Sequence, residues 1–170
     1  MLRPAISYKA ELDKINIELM EKEEIYKYFI SADYWYKLFV IDETEYNQIS
    51  RVSVDSDGKV IGYIGVSLNK AINSVNHMYV CYFKMPKISY TFTKDVLEFI
   101  DYLFVYKKFN KIHWSVYIGN PAIKVYNKFI ERYNGKIVGY FKDDERLLDN
   151  SIVDKQVYEI IREDYLKAKE

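Results

Sequence analysis

The sequence predicts a mixed α/β domain in which a central, mostly antiparallel sheet is flanked by helices, in the order α-α-β-β-β-α-β-α-β-β. Three observations carry that expectation. From residue 46 to residue 83, three strand-like runs follow one another between short turns. Beyond Thr93, stripes with a period of three and four alternate with further period-two runs. The chain has 170 residues, 49% of them apolar and 29% charged, which suits one globular core and is too short for two domains of ordinary size. One domain over 1–170 is expected, with a helical segment at 1–45 and the sheet-bearing core at 46–170.

Ser7 or an early neighbour can start a first helix towards Met20, since Leu12, Ile15 and Leu19 fall on one side of it. A short second helix can hold Ile25, Tyr28 and Phe29, followed by the aromatic cluster Tyr34, Trp35, Tyr36, Leu38 and Phe39, as helix or loop. Tyr46 to Val54 alternates as a strand, and Asp55-Ser56-Asp57-Gly58 is a turn in which Gly58 can take positive φ. Val60 to Leu68 and Val75 to Phe83 complete an antiparallel meander. A broad apolar stripe (Val96, Leu97, Phe99, Ile100, Leu103, Phe104) predicts a helix over 93–106. Lys111 to Ile118 is a strand with Ile112, Trp114, Val116 and Ile118 on one face. Asn120 suits a helix N-cap and Pro121 the first helical position, ahead of Ile123, Val125, Tyr126, Phe129 and Ile130. Ile137 to Phe141 and Asp154 to Arg162 are the last strands, with the polar segment 142–150 expected as their link.

Composition narrows the function classes. Lysine plus arginine and aspartate plus glutamate number 25 each, so no net charge draws the chain to nucleic acid or to an anionic membrane. Cys81 is the one cysteine, so no disulfide forms within the chain, and in its apolar run it reads as buried filler. Two histidines and that cysteine, far apart, make no structural zinc pattern, and no metal is expected. Without a long apolar segment a cytoplasmic location is the default expectation. The 18 tyrosines are read mainly as packing and partly wet faces.

Several short motifs, in their order and spacing, resemble the GCN5-related N-acetyltransferase family, especially its ribosomal-protein-acetylating branch. They are Asp57-Gly58-Lys59-Val60-Ile61-Gly62-Tyr63-Ile64 at a hairpin, Asp101-Tyr102-Leu103-Phe104 at the end of the central helix, and Asn110-Lys111-Ile112 at a strand entry. Asn120-Pro121-Ala122 leading to Tyr126, and the stretch from Asp154 to Tyr165, complete the set, which spans about two thirds of the chain.

The resemblance implies acetyl-CoA as donor, lying where the fourth strand of the family fold splays from the fifth, with its pyrophosphate at the start of the central helix. Tyr79, Val80 and Cys81 would offer main-chain contacts to the pantetheine arm. The loop before the central helix departs from the family: where glycines let backbone approach phosphate, this chain has Ile88 and Tyr90. Lys87, Ser89, Thr91 and Thr93 are the remaining donors there, along with the main chain of Tyr90, and Thr93 could equally be a plain N-cap. Asn120 would assist the CoA arm as well as cap a helix. Tyr126 corresponds to the tyrosine that protonates the departing thiolate, or else to a buried stripe residue. His77, whose ordinary pKa lies near neutrality, is the candidate base. Glu43, Glu45, Asp143, Asp144 and Glu145 could attract a cationic acceptor or simply be solvated.

The function this implies is acetyl transfer to a primary amine by direct attack in a ternary complex. The acceptor would be an amine-bearing small molecule or a protein N-terminus, and a homodimer is allowed. The alternative, favoured by the altered loop, is a catalytically weak or inactive protein of this fold that binds or regulates.

Overall fold

A computed structural model of the chain describes residues 1–21, 27–28, 39–85 and 89–170. Strand β1 (Leu2–Pro4) and a 3-10 turn (Ala5–Tyr8) precede helix α1 (Lys9–Met20). Strands β2 (Gln48–Val54), β3 (Val60–Asn69) and β4 (Ser74–Tyr82) form the expected meander, and Gly58 takes φ +79 in its first turn. Helix α2 (Tyr90–Asp101) runs into a π-helical turn (Tyr102–Tyr106), then β5 (Lys111–Tyr117) and helix α3 (Ile123–Arg132). Strands β6 (Lys136–Arg146) and β7 (Ile152–Ile161) and a short helix α4 (Arg162–Lys167) complete the chain. The strands make one seven-stranded sheet ordered β1-β2-β3-β4-β5-β7-β6, in which β4 and β5 are parallel and every other pair is antiparallel.

The sheet carries its core on both faces. Val60 to Val66 of β3 are buried without interruption because α1 covers one side and α2 the other. On the α1 face, Leu12 meets Val52, Val54, Val60 and Tyr63, while Leu19 packs on Cys81. On the opposite face, Trp114 stacks on Tyr158 at 5.2 Å and meets Tyr126 and Phe129 of α3 edge-on. Buried Asp95 ties α2 to the edge of the meander, accepting hydrogen bonds from Ser53 Oγ (2.6 Å) and the Met1 amine (2.7 Å).

Several boundaries differ from those the sequence predicts, each for a local reason. Leu2–Pro4 pairs with β2, a seventh strand too short to show a period. The central helix begins before Thr93, because Ser89 is its N-cap: the Ser89 Oγ accepts from the Phe92 amide at 3.0 Å. Thr93 lies inside the helix, and its hydroxyl donates to the Ser89 carbonyl. Asn120 caps a turn rather than the helix itself. Its Oδ1 accepts from the Ala122 amide at 2.9 Å, and α3 starts at Ile123. Strand β6 runs through the polar residues to Arg146, interrupted near Asp143, because an edge strand needs no apolar alternation to pair on one side. The second predicted helix and the cluster from Tyr34 to Leu38 lie outside the described residues, except Tyr28, which is in a turn.

Candidate active site between the splayed strands

Strands β4 and β5 register at a single pair, Val75 with Ile112. Beyond it they part, and among the described residues β4 and β5 form no further ladder pair. Main-chain donors and acceptors left at an edge within a sheet demand partners. An extended molecule rich in amides, laid between the strands, would supply them. Tyr79, Val80 and Cys81 form the stretch of β4 that would hold it.

Alternation sorts the side chains around this gap. His77, Tyr79 and Cys81 face α1, as do His113, Ser115 and Tyr117 of β5. Met78, Val80, Tyr82 and Trp114 face α2 and α3. A cleft of about 230 Å³ opens on the α1 side, lined by His77, His113, Ser115, Phe141, Asp144 and Lys155. His77 packs its ring on Tyr79 at 4.1 Å. Burial, then the nearby charges of Lys155 and His113, pushes the His77 pKa down to about 4, so the imidazole is neutral near pH 7. Burial and Lys111 also lower that of His113, against the pull of Glu159 and of a hydrogen bond to the Asn76 main chain.

Tyr126 of α3 lies over β5 and β7, on the side of the sheet opposite the cleft. Its ring stands edge-on to both Trp114 and Tyr158, each at 5.8 Å. Burial raises its pKa well above the ordinary phenol value, and the potential charges of Cys81 and Tyr158 push the same way. The hydroxyl therefore keeps its proton through the physiological range. Cys81 is buried and its thiol likewise raised, which suits packing. The buried indole Nε1 of Trp114, on the α3 face of β5, has no hydrogen-bond partner among the described residues.

The start of α2 is the other half of the expected donor site. Ser89 spends its hydroxyl oxygen on the Phe92 amide. Thr91 and Thr93 are exposed, and Tyr90 stands 83% exposed at the first helical position. Lys87 and Ile88 lie outside the described residues. The helix end thus offers main-chain amides and hydroxyls, while no described glycine cradles a phosphate. Asn120 is half-buried at the far end of β5, with its side-chain oxygen engaged by Ala122.

The structure adds groups on the α1 side that strand periods alone do not single out. Tyr117 Oη donates to Glu145 Oε2 at 3.3 Å, tying the end of β5 to β6. Lys155 pairs with Asp144 and lies 5.5 Å from the Tyr117 ring. Tyr28 closes on the β5–α3 turn: a Cβ on Gly119 would come within 2.5 Å of its hydroxyl. Beside it, Lys27 Nζ bonds Asp149 Oδ2 at 2.5 Å in the β6–β7 turn, where Leu148 packs towards Cys81. Residues 27–28 therefore touch both loops that flank the open end of the gap. The alternation in β5 places Tyr117 on the cleft face, and Glu145 stands out only as part of an acidic run.

No protein-family model and no curated protein matches this sequence. Solved structures do. The spermidine N-acetyltransferase from Vibrio cholerae, in complex with CoA and spermine, superposes with a TM-score of 0.73 at 17% identity, covering 98% of this chain and 97% of that one. A chimera of that SpeG enzyme with hSSAT gives 0.73 at 18% identity, covering 98% of both chains. The Vibrio cholerae spermidine/spermine enzyme with manganese gives 0.63 at 17% identity, over 81% of this chain and 79% of that one. The splayed pair of parallel strands, the helices on both faces and these superpositions together establish that the chain has the GCN5-related N-acetyltransferase fold.

Proposed function

We propose that the protein transfers an acetyl group from acetyl-CoA to a primary amine of a small polycation of the polyamine class. The observation that carries this is the open β4 edge beyond the Val75–Ile112 pair, with the protonated hydroxyl of Tyr126 on one side and a polar cleft on the other. The donor would supply an acyl group activated as a thioester. Main chain at Tyr79, Val80 and Cys81 would hold its amide-bearing arm, with Trp114 Nε1 as a spare buried donor. The amides and hydroxyls of Ser89, Tyr90, Thr91 and Thr93, with Lys87, would meet its phosphates, and Asn120 would border the arm near α3.

Tyr126 acts as the acid. A phenol that stays protonated can give its proton to sulfur as negative charge develops there. His77, neutral near pH 7, receives the acceptor through a hydrogen bond rather than by charge. Of the carboxylates on the α1 side, Asp144 and Asp149 pair with Lys155 and Lys27, whereas Glu145 accepts only from a phenol and a main-chain amide and so suits an ammonium group of the acceptor. Solved structures of the same fold include a spermidine N-acetyltransferase with CoA and spermine bound, which supports that acceptor class. A protein N-terminus, the acceptor of the branch that the sequence motifs resemble, is the second class to test.

Titration calorimetry with acetyl-CoA and with CoA, followed by a thiol-release assay with spermidine, spermine and a short peptide, tests the proposal. Binding tighter than about 100 µM together with thiol release on polyamine addition supports it. Binding without turnover on any amine favours the inactive protein that Tyr90, in place of a glycine, suggests. No binding overturns the enzyme reading.

A further inference from the structure

We infer that Glu145 is the base that takes the acceptor's proton and that Tyr117 is its positioning residue. This rests on the acetyl-transfer reading and deepens it. An amine is protonated near pH 7, because its pKa is about 10. It cannot attack a carbonyl until a proton leaves, so the acceptor side must hold a group that receives one.

Glu145 meets the geometric conditions. It is half-buried on the last regular stretch of β6, opposite Val153 of β7. Its Oε2 accepts from Tyr117 Oη, and Tyr117 is the final residue of β5, on the same sheet face as His113 and Ser115 of the cleft. The gap between β4 and β5 widens from Val75–Ile112 towards that end. Tyr79 of β4 lies near enough to Tyr117 for its charge to disfavour ionisation of Tyr117, which sets Tyr117 on the lip of the gap. The electrostatics point the same way. Lys155 of β7 is engaged by Asp144, the neighbouring residue on β6. Among the described residues no cationic side chain comes within ion-pairing distance of Glu145, whose other oxygen meets only the Arg146 amide at 3.4 Å. A half-buried carboxylate held by a phenol and lacking a cation is complementary to an ammonium group. Burial and Glu145 itself raise the Tyr117 pKa, so this phenol stays a donor and fixes the carboxylate without competing for the proton.

The titratable groups around the Tyr117–Glu145 pair are Asp144 from β6, Lys155 from β7 and, across the gap, Tyr79 from β4. His77 sits nearer the closed end, two residues past the Val75 junction, where Lys155 and His113 oppose a positive charge on it. In the step, the ammonium gives one proton to the Glu145 carboxylate, and the neutral nitrogen forms the C–N bond as the C–S bond breaks. Sulfur takes the Tyr126 proton, and the second nitrogen proton replaces it. Glu145 releases its proton to solvent, so one proton is set free per amide formed.

The test is the pH profile of kcat/KM for spermidine in the wild type, Glu145→Gln, Tyr117→Phe and His77→Gln, alongside acetyl-CoA affinity and melting temperature. In Glu145→Gln the rate at pH 7 should fall about 100-fold, and the deficit should close towards pH 10, where the amine sheds its own proton. Tyr117→Phe should show a smaller deficit with the same closure, and His77→Gln a factor that does not vary with pH. Acetyl-CoA affinity should be unchanged in Glu145→Gln and Tyr117→Phe. A Glu145→Gln profile parallel to wild type at every pH overturns the inference and leaves the transferase reading standing. Wild-type protein that binds no acetyl-CoA overturns both.

Discussion

Two side chains of the candidate site, Tyr126 and His77, give predictions that separate fold from function. Tyr126→Phe removes one oxygen from a ring held by Trp114 and Tyr158. The expected outcome is a loss of kcat of about 100-fold with acetyl-CoA affinity unchanged, read by thiol release and calorimetry. His77 predicts a pH effect on stability. Above about pH 6.5 the imidazole is neutral in folded and unfolded chains alike. Between 6.5 and 4 the unfolded chain binds a proton that the folded chain refuses, because the folded pKa is pushed down to about 4. Stability should therefore fall by about 2 kcal/mol as the pH drops through that window, and His77→Gln should flatten the dependence. His113 contributes in the same direction, so some slope should survive. Urea midpoints measured from pH 7 to pH 4.5 check it. Cys81 is the opposite case, a reactive residue type placed where burial keeps the thiol closed and α1 seals it.

At the level of elements, legibility in the sequence followed periodicity. Val60 to Val66, Ile112-Trp114-Val116 and the stripe of α2 announce themselves because one or both faces are buried. Strand β1 is three residues long, and β6 beyond Phe141 is polar at the sheet edge, so neither leaves a period to read. Helix α4 is one and a half turns held chiefly by Tyr165, which packs on Phe104 and Tyr133 and donates to Asp101 at 2.9 Å. The candidate site divides the same way. Tyr126, His77 and the β4 stretch are found by motif and position in a strand, whereas Tyr117–Glu145 and Tyr28–Gly119 join residues distant in sequence. The last pair predicts a measurable coupling. Gly119 has φ +99, and Tyr28 occupies the space beside it. Gly119→Ala should cost about 2 kcal/mol, from backbone strain and displacement of the Tyr28 ring together. In a Tyr28→Ala background only the strain should remain, so a double-mutant cycle by denaturant melting should return a coupling of about 1 kcal/mol.

For the whole molecule, the main fact is that the two middle strands of a seven-stranded sheet share one ladder pair, with the loops at its closed end tied by Asn73 and Asn110. The meander with α1 and α2 lies on one side of that seam, and β5, β7 and β6 with α3 and α4 lie on the other. Amides of residues 77–81 on the open β4 edge should exchange with deuterium faster than those of β3. Saturating acetyl-CoA should slow them, and a hydrogen-exchange map should show protection concentrated there and at the start of α2. Protection confined to the α2 end would leave the seam without a role in binding. Mechanically, the arrangement is a wedge turning on a fulcrum. Val80 stands five residues beyond Val75, an arm of roughly 16 Å at about 3.3 Å per residue, so a tilt of about 5° at the junction moves the mouth by roughly 1.4 Å. That is close to the difference between a gap that grips a flat amide and one that admits water. The packing of Val75 and Ile112, both buried, is thereby the pivot on which the width of the proposed donor gap depends.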